Sequence, residues 1–398
     1  MALLAVDRVL IDGGKLTYRD LTTDKPTEYV LQDLEVLLRE VRLGQTPNLH
    51  FASLVQPFNM PVKLDGTFGP LKEEMDIEAI NFHLGLGKTD FTITGKAADH
   101  NATVNISSPV INTANLPIVL PLKKPIDINN LQIAAEVKGQ EAKLNSLSFQ
   151  LFDGQVKGQG KLVAGSDAPP FSGGVAVQGV QLGPALSAVA DTPISVSGTA
   201  GADLSVQGRG FSMPDLTKAL HGTGHMAVKD GKIQGVNILQ EVVSALKVAG
   251  ISIDDPNATV FSTIETDLAI KQGVINVKNL LMDSHDFRAT GGGTIGFDQR
   301  LNLIVNLNLS QEVSKKLAGA SPVVKIALKD GRLSLPLAIT GTAQAPTYGV
   351  DLKGLTGKMQ EQVKKKVEET VDGLLKGTTK PEDLKREGQE LLKGLFGR

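Results

Sequence analysis

Cysteine and tryptophan are missing from this 398-residue chain, and aromatic residues make up only 4% of it. The lack of cysteine excludes disulfide bonds and thiolate metal sites. Hydrophobic residues nevertheless account for 41% of the sequence. The apolar surface is therefore mainly aliphatic, and the chain is long enough for two domains or one elongated array.

The chain also lacks a charge excess of either sign. Its formal net charge is −2, and no stripe of lysine and arginine interleaves with aromatic residues. Binding to a nucleic-acid backbone depends on such a basic footprint. We therefore expect no nucleic-acid partner.

Long hydrophobic runs are missing as well. The start, "MALLAVDRVLIDGG", has an apolar run of six residues that Asp7 and Arg8 interrupt, and no basic segment precedes it. A helix needs roughly 20 apolar residues to cross a bilayer. The sequence predicts no signal peptide and no transmembrane span, so we expect either a soluble chain or a fragment without its anchor.

One short unit recurs along the chain: a strand of alternating apolar residues, an Asp-Gly or Gln-Gly turn, and a second alternating strand. The units read "VLIDGGKLTY", "FQLFDGQVKGQGKL", "MAVKDGKIQGV", "LAIKQGVINV" and "KIALKDGRLSL". Asp-Gly between alternating runs is a strong hairpin signal, because glycine supplies the positive φ that tight turns need. The five units predict a long antiparallel sheet.

Helical periodicity is confined to short segments. It predicts helices at 182–191, 213–222 and 236–250, the last of which ends on a glycine. The segment 29–43 fits both a helix and a strand by its leucine spacing. We predict a strand there because both neighbouring segments are strands.

The C-terminal part of the chain changes character. Leu355, Met359, Val363 and Val367 are spaced four residues apart among lysines and glutamates. This pattern predicts an amphipathic helix over 355–377, and a second short helix follows it.

The best candidate for an internal boundary is the loop 162–174, where prolines, glycines and small residues cluster. We predict an N-terminal β region over 1–165 and a C-terminal β-groove domain over 170–355. The helical tail then covers 356–398.

Two motifs that suggest chemistry have simpler explanations. "HGTGH" places His221 and His225 four residues apart, but two glycines intervene and a strand begins there, so we expect no shared metal ion. "GGGTIG" (291–296) matches a dinucleotide-binding pattern but lies inside a strand pattern, where glycines permit close backbone approach. The sequence predicts no metal, no cofactor and no enzymatic activity.

The strongest remaining signal is a strand with two different faces. In "LNLIVNLNLS" (301–310) the odd positions are all aliphatic and the even positions are mostly asparagine, and side chains on a strand alternate between faces. The simpler interpretation is that a second layer covers the aliphatic face, which then forms an ordinary protein core. Because covering helix is scarce, we predict instead an apolar groove that binds acyl chains. Its predicted lining comprises Leu301, Leu303, Val305, Leu307, Leu309, Val324, Ile326, Leu328, Leu333, Leu335, Leu337 and Ile339.

Several segments resemble the AsmA family of Gram-negative envelope proteins. The likeness is carried by "LNSLSFQLFDGQVKGQGKL" (144–162), "LHGTGHMAVKDGKIQGVNIL" (220–239), "INVKNLLMDSHDFRATGGGTIGFDQRLNLIVNLNLS" (275–310) and "LAITGTAQAPTYGVDLKGL" (337–355). The N-terminal "VDRVLIDGGKLTYRD" and "PFNMPVKLDGTFGPL" fit as well, so the resemblance covers nearly the whole chain.

The resemblance implies a member of the bridge-like lipid-transfer superfamily. We therefore expect a mainly β fold: an elongated, strongly curved antiparallel sheet that forms an apolar groove, with a few short helices and a C-terminal amphipathic helix. It further implies a periplasmic, non-enzymatic protein that conducts phospholipid between the inner and outer membranes and supports outer-membrane integrity. Family members usually begin with an inner-membrane helix. We expect none in this chain, and other envelope proteins are candidate partners.

Two alternatives stay open. An assembly or scaffold factor for outer-membrane proteins would bind precursors by pairing at exposed strand edges and would have a filled interior. An enzyme would need a polar pocket with clustered titratable groups, and the sequence gives no sign of one.

Overall fold

The computed structural model describes residues 5–20, 27–72, 76–99, 101–116, 120, 122–189, 194–246, 255 and 257–350. The amphipathic helix expected over 355–377, the short helix after it and the tail 356–398 lie outside the described residues. Those expectations stay predictions.

The prediction of a mainly β chain is confirmed. The chain forms one 19-stranded antiparallel sheet, and the described registers join strands that follow one another in sequence. The first strands are β1 (Val6–Asp20), β2 (Thr27–Val41), β3 (Asn48–Gln56), β4 (Met60–Leu71), β5 (Ile77–Leu86), β6 (Thr89–Ala98), β7 (Asn101–Asn112), β8 (Asp127–Lys138), β9 (Glu141–Leu151), β10 (Gly154–Val163) and β11 (Pro170–Gln181). They are followed by β12 (Ser195–Arg209), β13 (His221–Gln234), β14 (Ala258–Lys271), β15 (Val274–Asp283), β16 (Phe287–Gly296), β17 (Leu301–Leu309), β18 (Ser334–Gly341) and β19 (Pro346–Val350). Strand β2 covers residues 29–41 of the segment 29–43, where a strand was predicted.

Short helices lie in the connections between strands. They are α1 (Leu182–Val189), α2 (Met213–Ala219), α3 (Ile238–Ala245), α4 (Gln311–Ala320) and α5 (Pro322–Ala327), with a 3-10 turn at Thr113–Asn115. The first three confirm the predicted helices. Side-chain caps fix where three of the helices begin, because Ser212, Asn237 and Ser310 each accept a hydrogen bond from a backbone N–H of the first turn.

The chain divides into two compact units. Unit 1 comprises Met1–Asp191 and Ala200–Gly222, and unit 2 comprises Thr192–Thr199 and Thr223–Arg398. The proline-bearing loop between β10 and β11, near which we predicted a domain boundary, lies within unit 1. Strands β1 to β11 belong to unit 1 and β14 to β19 to unit 2, so each set can be described by itself.

Three of the five predicted turns reverse the chain. The turn residues are 152–153, 272–273 and 330–331, and each has a positive φ. The first of these turns uses Phe152 and Asp153, while the following glycine already belongs to β10. Left-handed backbone at both central positions matches the twist of a tight antiparallel hairpin.

The other two predicted hairpins are wrong, because the strand continues through the turn signal. Strand β1 runs past Gly13, and its register against β2 shifts on either side of Gly14. An extra residue accommodated in this way is a β-bulge. Strand β13 likewise continues through Asp230, which has a φ of +50°. A left-handed residue serves a bulge as well as a turn, so the local signal alone does not separate the two.

The strand predicted across 324–328 is also wrong. Residues 322–327 form helix α5, with Pro322 in its first turn, where the missing N–H of proline costs nothing. The apolar run here is too short for its spacing to distinguish a helix from a strand. The Asp330–Gly331 turn after it is present, but its first arm is reduced to the single bridge between Lys329 and Arg332.

Candidate functional site: an apolar face of the sheet

Directly opposed residues of neighbouring strands lie on the same face of a sheet, so the registers of unit 1 define rows across it. One such row crosses all strands from β1 to β11 and contains only apolar residues and glycines. We call it the apolar row. Its members are Val9, Leu38, Leu49, Gly66, Phe82, Ile93, Ile106, Ile133, Leu147, Gly158 and Val175.

The apolar row is not covered as a protein core is. Its two ends, Val9 and Val175, are exposed, and the residues between them are half-buried. Ten steps between strands at about 4.8 Å each give the row a length of roughly 48 Å along the sheet. Contiguous apolar surface of this extent on a folded protein marks an interaction site.

From β3 to β10 the opposite face of the sheet is polar, whereas its members in β1, β2 and β11 are Leu10, Leu37 and Ala176. The row one residue away reads His50, Asp65, His83, Thr92, Ser107, Gln132, Ser148 and Lys157. His50 Nδ1 lies 2.5 Å from Asp65 Oδ1 in this polar row. One polar face and one apolar face on the same strands is the arrangement that the strand alternation dictates.

Unit 2 carries a similar apolar face, and most of it is closed. Of the twelve predicted lining residues, seven are buried: Val305, Leu307, Leu309, Val324, Leu333, Leu335 and Leu337. Side chains with no accessible surface contact protein on every side, so these positions form an ordinary core. The expectation that they line an open groove is not supported by this burial, and a groove is not shown.

The other predicted lining residues are distributed differently. Leu301, Leu303 and Ile339 share the apolar face of β17 and β18 and are half-buried. Leu328 is half-buried too, but it follows α5 rather than lying in a strand. Ile326 belongs to α5, and its side chain is outside the described part of the structure.

Helices close the buried end of this face. Helices α4 and α5 connect β17 to β18, and Val313 and Leu317 of α4 are buried. The Ser314 hydroxyl is buried as well, and its oxygen accepts a hydrogen bond of 2.9 Å from the Leu333 N–H. This contact joins α4 to the start of the β18 arm.

Helix α3 covers the same face from the other side of unit 2. It contacts both β14 and β19, and its Val242 has no exposed surface. Eight residues of helix are about 12 Å long, whereas five strand steps in a flat sheet would separate β14 from β19 by roughly 24 Å. The contacts of α3 with both strands favour a sheet that curls toward this helix. Burial raises the pKa of Tyr348 in β19, and the negative charge of the Glu241 carboxylate in α3 raises it further.

Ser314→Ala should lower the free energy of unfolding by about 1–3 kcal/mol, because it leaves the buried Leu333 N–H without its acceptor. Urea denaturation followed by circular dichroism measures the change. Ser334→Ala is the matched control, since Ser334 is exposed and its hydroxyl donates to exposed Asn306. Equal losses in both variants would contradict the role of Ser314.

Titratable side chains on the described surface form hydrogen-bonded pairs. His225 Nδ1 lies 3.0 Å from Asp267 Oδ1, and the Asn279 amide donates to the other carboxylate oxygen at 2.8 Å. The hydrogen bond from Asn279, and next the contact with His225, lower the pKa of the Asp267 carboxyl. Across the described residues, no three His, Cys, Asp or Glu side chains are grouped so that they could hold a metal ion. None of the helices in the described ranges combines the length and apolarity that crossing a membrane requires.

Sequence reasoning missed the apolar row of unit 1. The alternation was visible in segments such as "TDFTITGKAA" and "ATVNISS", so the apolar faces of single strands were readable. Their alignment into one row was not, because it depends on register, and a slip of one residue moves every side chain to the other face.

Comparison with known proteins supports the resemblance. The model of the AsmA family matches residues 123–280, which run from before β8 to within β15. Neither the comparison with curated proteins nor the comparison with solved structures found a match. Residues 123–280 of this chain therefore match the AsmA family, as the sequence motifs predicted.

Proposed function

We propose that this chain binds lipid acyl chains on the apolar row of unit 1 and conducts phospholipid between the inner and outer membranes. The observation that carries the proposal is the unbroken, half-buried apolar row across β1 to β11. AsmA proteins are a non-enzymatic envelope family, and membership is consistent with lipid transport or an envelope role. The proposed location is the periplasm, on the basis of the match to the AsmA family.

The proposed mechanism is passive. Each methylene of an acyl chain that leaves water for an apolar surface gains about 0.8 kcal/mol when fully buried. A row without polar interruptions lets an acyl chain move from strand to strand without losing this free energy at any one step. In unit 2 we assign contact with acyl chains to half-buried Leu301, Leu303 and Ile339, and the seven buried predicted positions pack against protein.

The test replaces three central members of the row by a polar residue of similar shape. The variant is Ile93→Thr, Ile106→Thr, Ile133→Thr, which keeps β-branched side chains and hence strand propensity. The full chain is incubated with vesicles of phosphatidylethanolamine and phosphatidylglycerol, repurified, and analysed by native mass spectrometry and lipid extraction. We expect phospholipid on the unmodified chain and at least about tenfold less on the variant, since three apolar contacts are weakened.

The control variant carries three threonines on the opposite face of the same region: Asn105→Thr, Ser107→Thr and Gln132→Thr. It should retain phospholipid, and both variants should show the circular dichroism of the unmodified chain. Equal lipid loss in the two variants would overturn the assignment to the apolar row. If the unmodified chain carries no lipid at all, the proposal fails, and the scaffold alternative for outer-membrane proteins takes precedence.

A further inference from the structure

A cleft with a volume of about 470 Å³ opens at one rim of unit 1. Strands β10 and β12 end at this rim, strand β11 begins there, and helix α2 follows β12. We call it the rim cleft. The residues that line it include Lys161, Phe171, Ser172, Gln207, Arg209 and His221. Its volume is in the range of small-molecule sites on proteins.

The rim cleft carries an uncompensated positive charge. Its lining includes no Asp or Glu from the described residues. The charge of Lys161 is balanced from outside the cleft, because its Nζ lies 2.5 Å from Glu141 Oε2. Arg209 makes no ion pair and no side-chain hydrogen bond with another described residue, so its guanidinium is available to a ligand. Lys218 in the last turn of α2 offsets the partial negative charge of that helix end.

The lining groups are hydrogen-bond donors that suit a phosphate. The planar guanidinium of Arg209 presents N–H groups that can pair with two phosphate oxygens at once. Gln207 lies two residues before Arg209 and therefore on the same face of β12. On the two neighbouring strands, Ser172 lies directly opposite Lys161. A phosphate in the rim cleft would therefore meet donors from three strands.

Two exposed apolar side chains lie beside the rim cleft. Phe211 and Met213 are each 62% exposed. The Gly210 N–H donates a hydrogen bond of 3.0 Å to the Pro169 oxygen, which holds the chain before α2 against the start of β11. Phe211 stacks there on Phe171 of the cleft, with the ring centroids 5.1 Å apart. An exposed apolar pair thus adjoins a cationic lining.

We propose that this rim docks on a membrane that contains anionic phospholipid, with the phosphate of a headgroup in the rim cleft and with Phe211 and Met213 among the acyl chains. A free phosphate would use the rim cleft alone and would leave both apolar side chains in water. A phospholipid surface accounts for both features, because anionic phosphate and apolar chains adjoin there.

The rim cleft also lies close to the apolar row. Gly158 and Val175 of the row are three residues away from Lys161 and Ser172 along their strands, which corresponds to about 10 Å. A lipid whose headgroup occupies the rim cleft would therefore have its acyl chains near the end of the row. This path of entry rests on the proposed function, whereas docking on the membrane does not.

Arg209→Gln tests the cationic part of the site. The full chain is mixed, in phosphate-free buffer, with vesicles of equal parts phosphatidylcholine and phosphatidylglycerol, and bound protein is measured by flotation. We expect Arg209→Gln to weaken binding about fivefold, which is what one basic residue contributes near an anionic surface. Lys88→Gln is the matched control, because it changes the net charge equally and lies in the exposed turn between β5 and β6, at the opposite rim. Equal losses would overturn the assignment to the rim cleft.

The double variant Phe211→Ser, Met213→Ser tests the apolar part. We expect it to bind the same vesicles at least about tenfold more weakly, since two large apolar side chains no longer leave water on docking. The control is Val260→Ser, Ile304→Ser, which removes apolar side chains of similar exposure, 61% and 63%, from unit 2. All variants should keep the circular dichroism of the unmodified chain. Unchanged binding of the Phe211 and Met213 variant contradicts the docking.

Two further measurements separate the remaining outcomes. Calorimetry with inorganic phosphate examines the other source of this ligand chemistry, and phosphate binding by a chain that does not bind vesicles would overturn the membrane assignment. Lipid extraction separates the inference from the proposed function. Copurified phospholipid with vesicle binding that neither variant weakens would overturn the docking and leave the proposed function standing. Vesicle binding that both variants weaken, without copurified phospholipid, would support the docking and count against the proposed function.

Discussion

Leu307→Ala is expected to lower the free energy of unfolding of unit 2 by about 3–5 kcal/mol, and Leu307→Asp to prevent unit 2 from folding. Leu307 has no exposed surface, and it lies between Ala289 of β16 and Leu335 of β18. Truncation of a fully buried leucine loses its transfer free energy and leaves a cavity. A carboxylate at the same place would be buried without a partner, which costs still more.

Hydrogen exchange measured by mass spectrometry distinguishes the units, because peptides from β16 to β18 report on unit 2 alone. Their protection should decrease in Leu307→Ala and vanish in Leu307→Asp, while peptides from β3 to β9 stay protected. Asn302→Asp is the matched control, since Asn302 lies on the exposed face of the same strand, and its effect should stay within about 0.5 kcal/mol. Full protection of β17 in Leu307→Asp would show that this face is open.

The alternation of strand β17 shows which features of this face can be predicted from the sequence. Leu301, Leu303, Val305, Leu307 and Leu309 were correctly placed on one apolar face, because period two is a local property of a strand. Whether that face is open or closed depends on the connections. Helices α4 and α5 close one end of it. Because α5 was predicted as a strand, an element that covers the face was counted as part of the face itself.

Local alternation is also insufficient for unit 1, where an open apolar face was not predicted. The strands of its apolar row carry ordinary alternation, and nothing in Ile93 or Ile106 alone shows that they are only half-buried. The row becomes visible only when the registers align them, and registers follow from turns and bulges at a distance. The class of fold and the chemistry of the surface were therefore predictable, and the open stretch of that surface was not.

The glycine-rich segment of β16 is a second place where a local pattern has a structural explanation. "GGGTIG" lies within strand β16, as predicted, and Gly293 has a φ of +149°. A Cβ on Gly293 would collide with the Asn302 carbonyl oxygen and would lie 2.7 Å from the Leu303 Cα. The glycines therefore permit β16 and β17 to approach more closely than residues with side chains allow.

Gly293→Ala should consequently lower the free energy of unfolding by about 3 kcal/mol or more, because it combines backbone strain at positive φ with a collision against backbone atoms. Urea denaturation measures the loss, and hydrogen exchange should place it in β16 and β17. Gly319→Ala in helix α4 is the control: no atom lies within 4 Å of its added Cβ, so alanine should stabilise the helix by about 0.5–1 kcal/mol. A neutral Gly293→Ala would mean that β16 and β17 lie far enough apart to accept a side chain, and the glycines would then need another explanation.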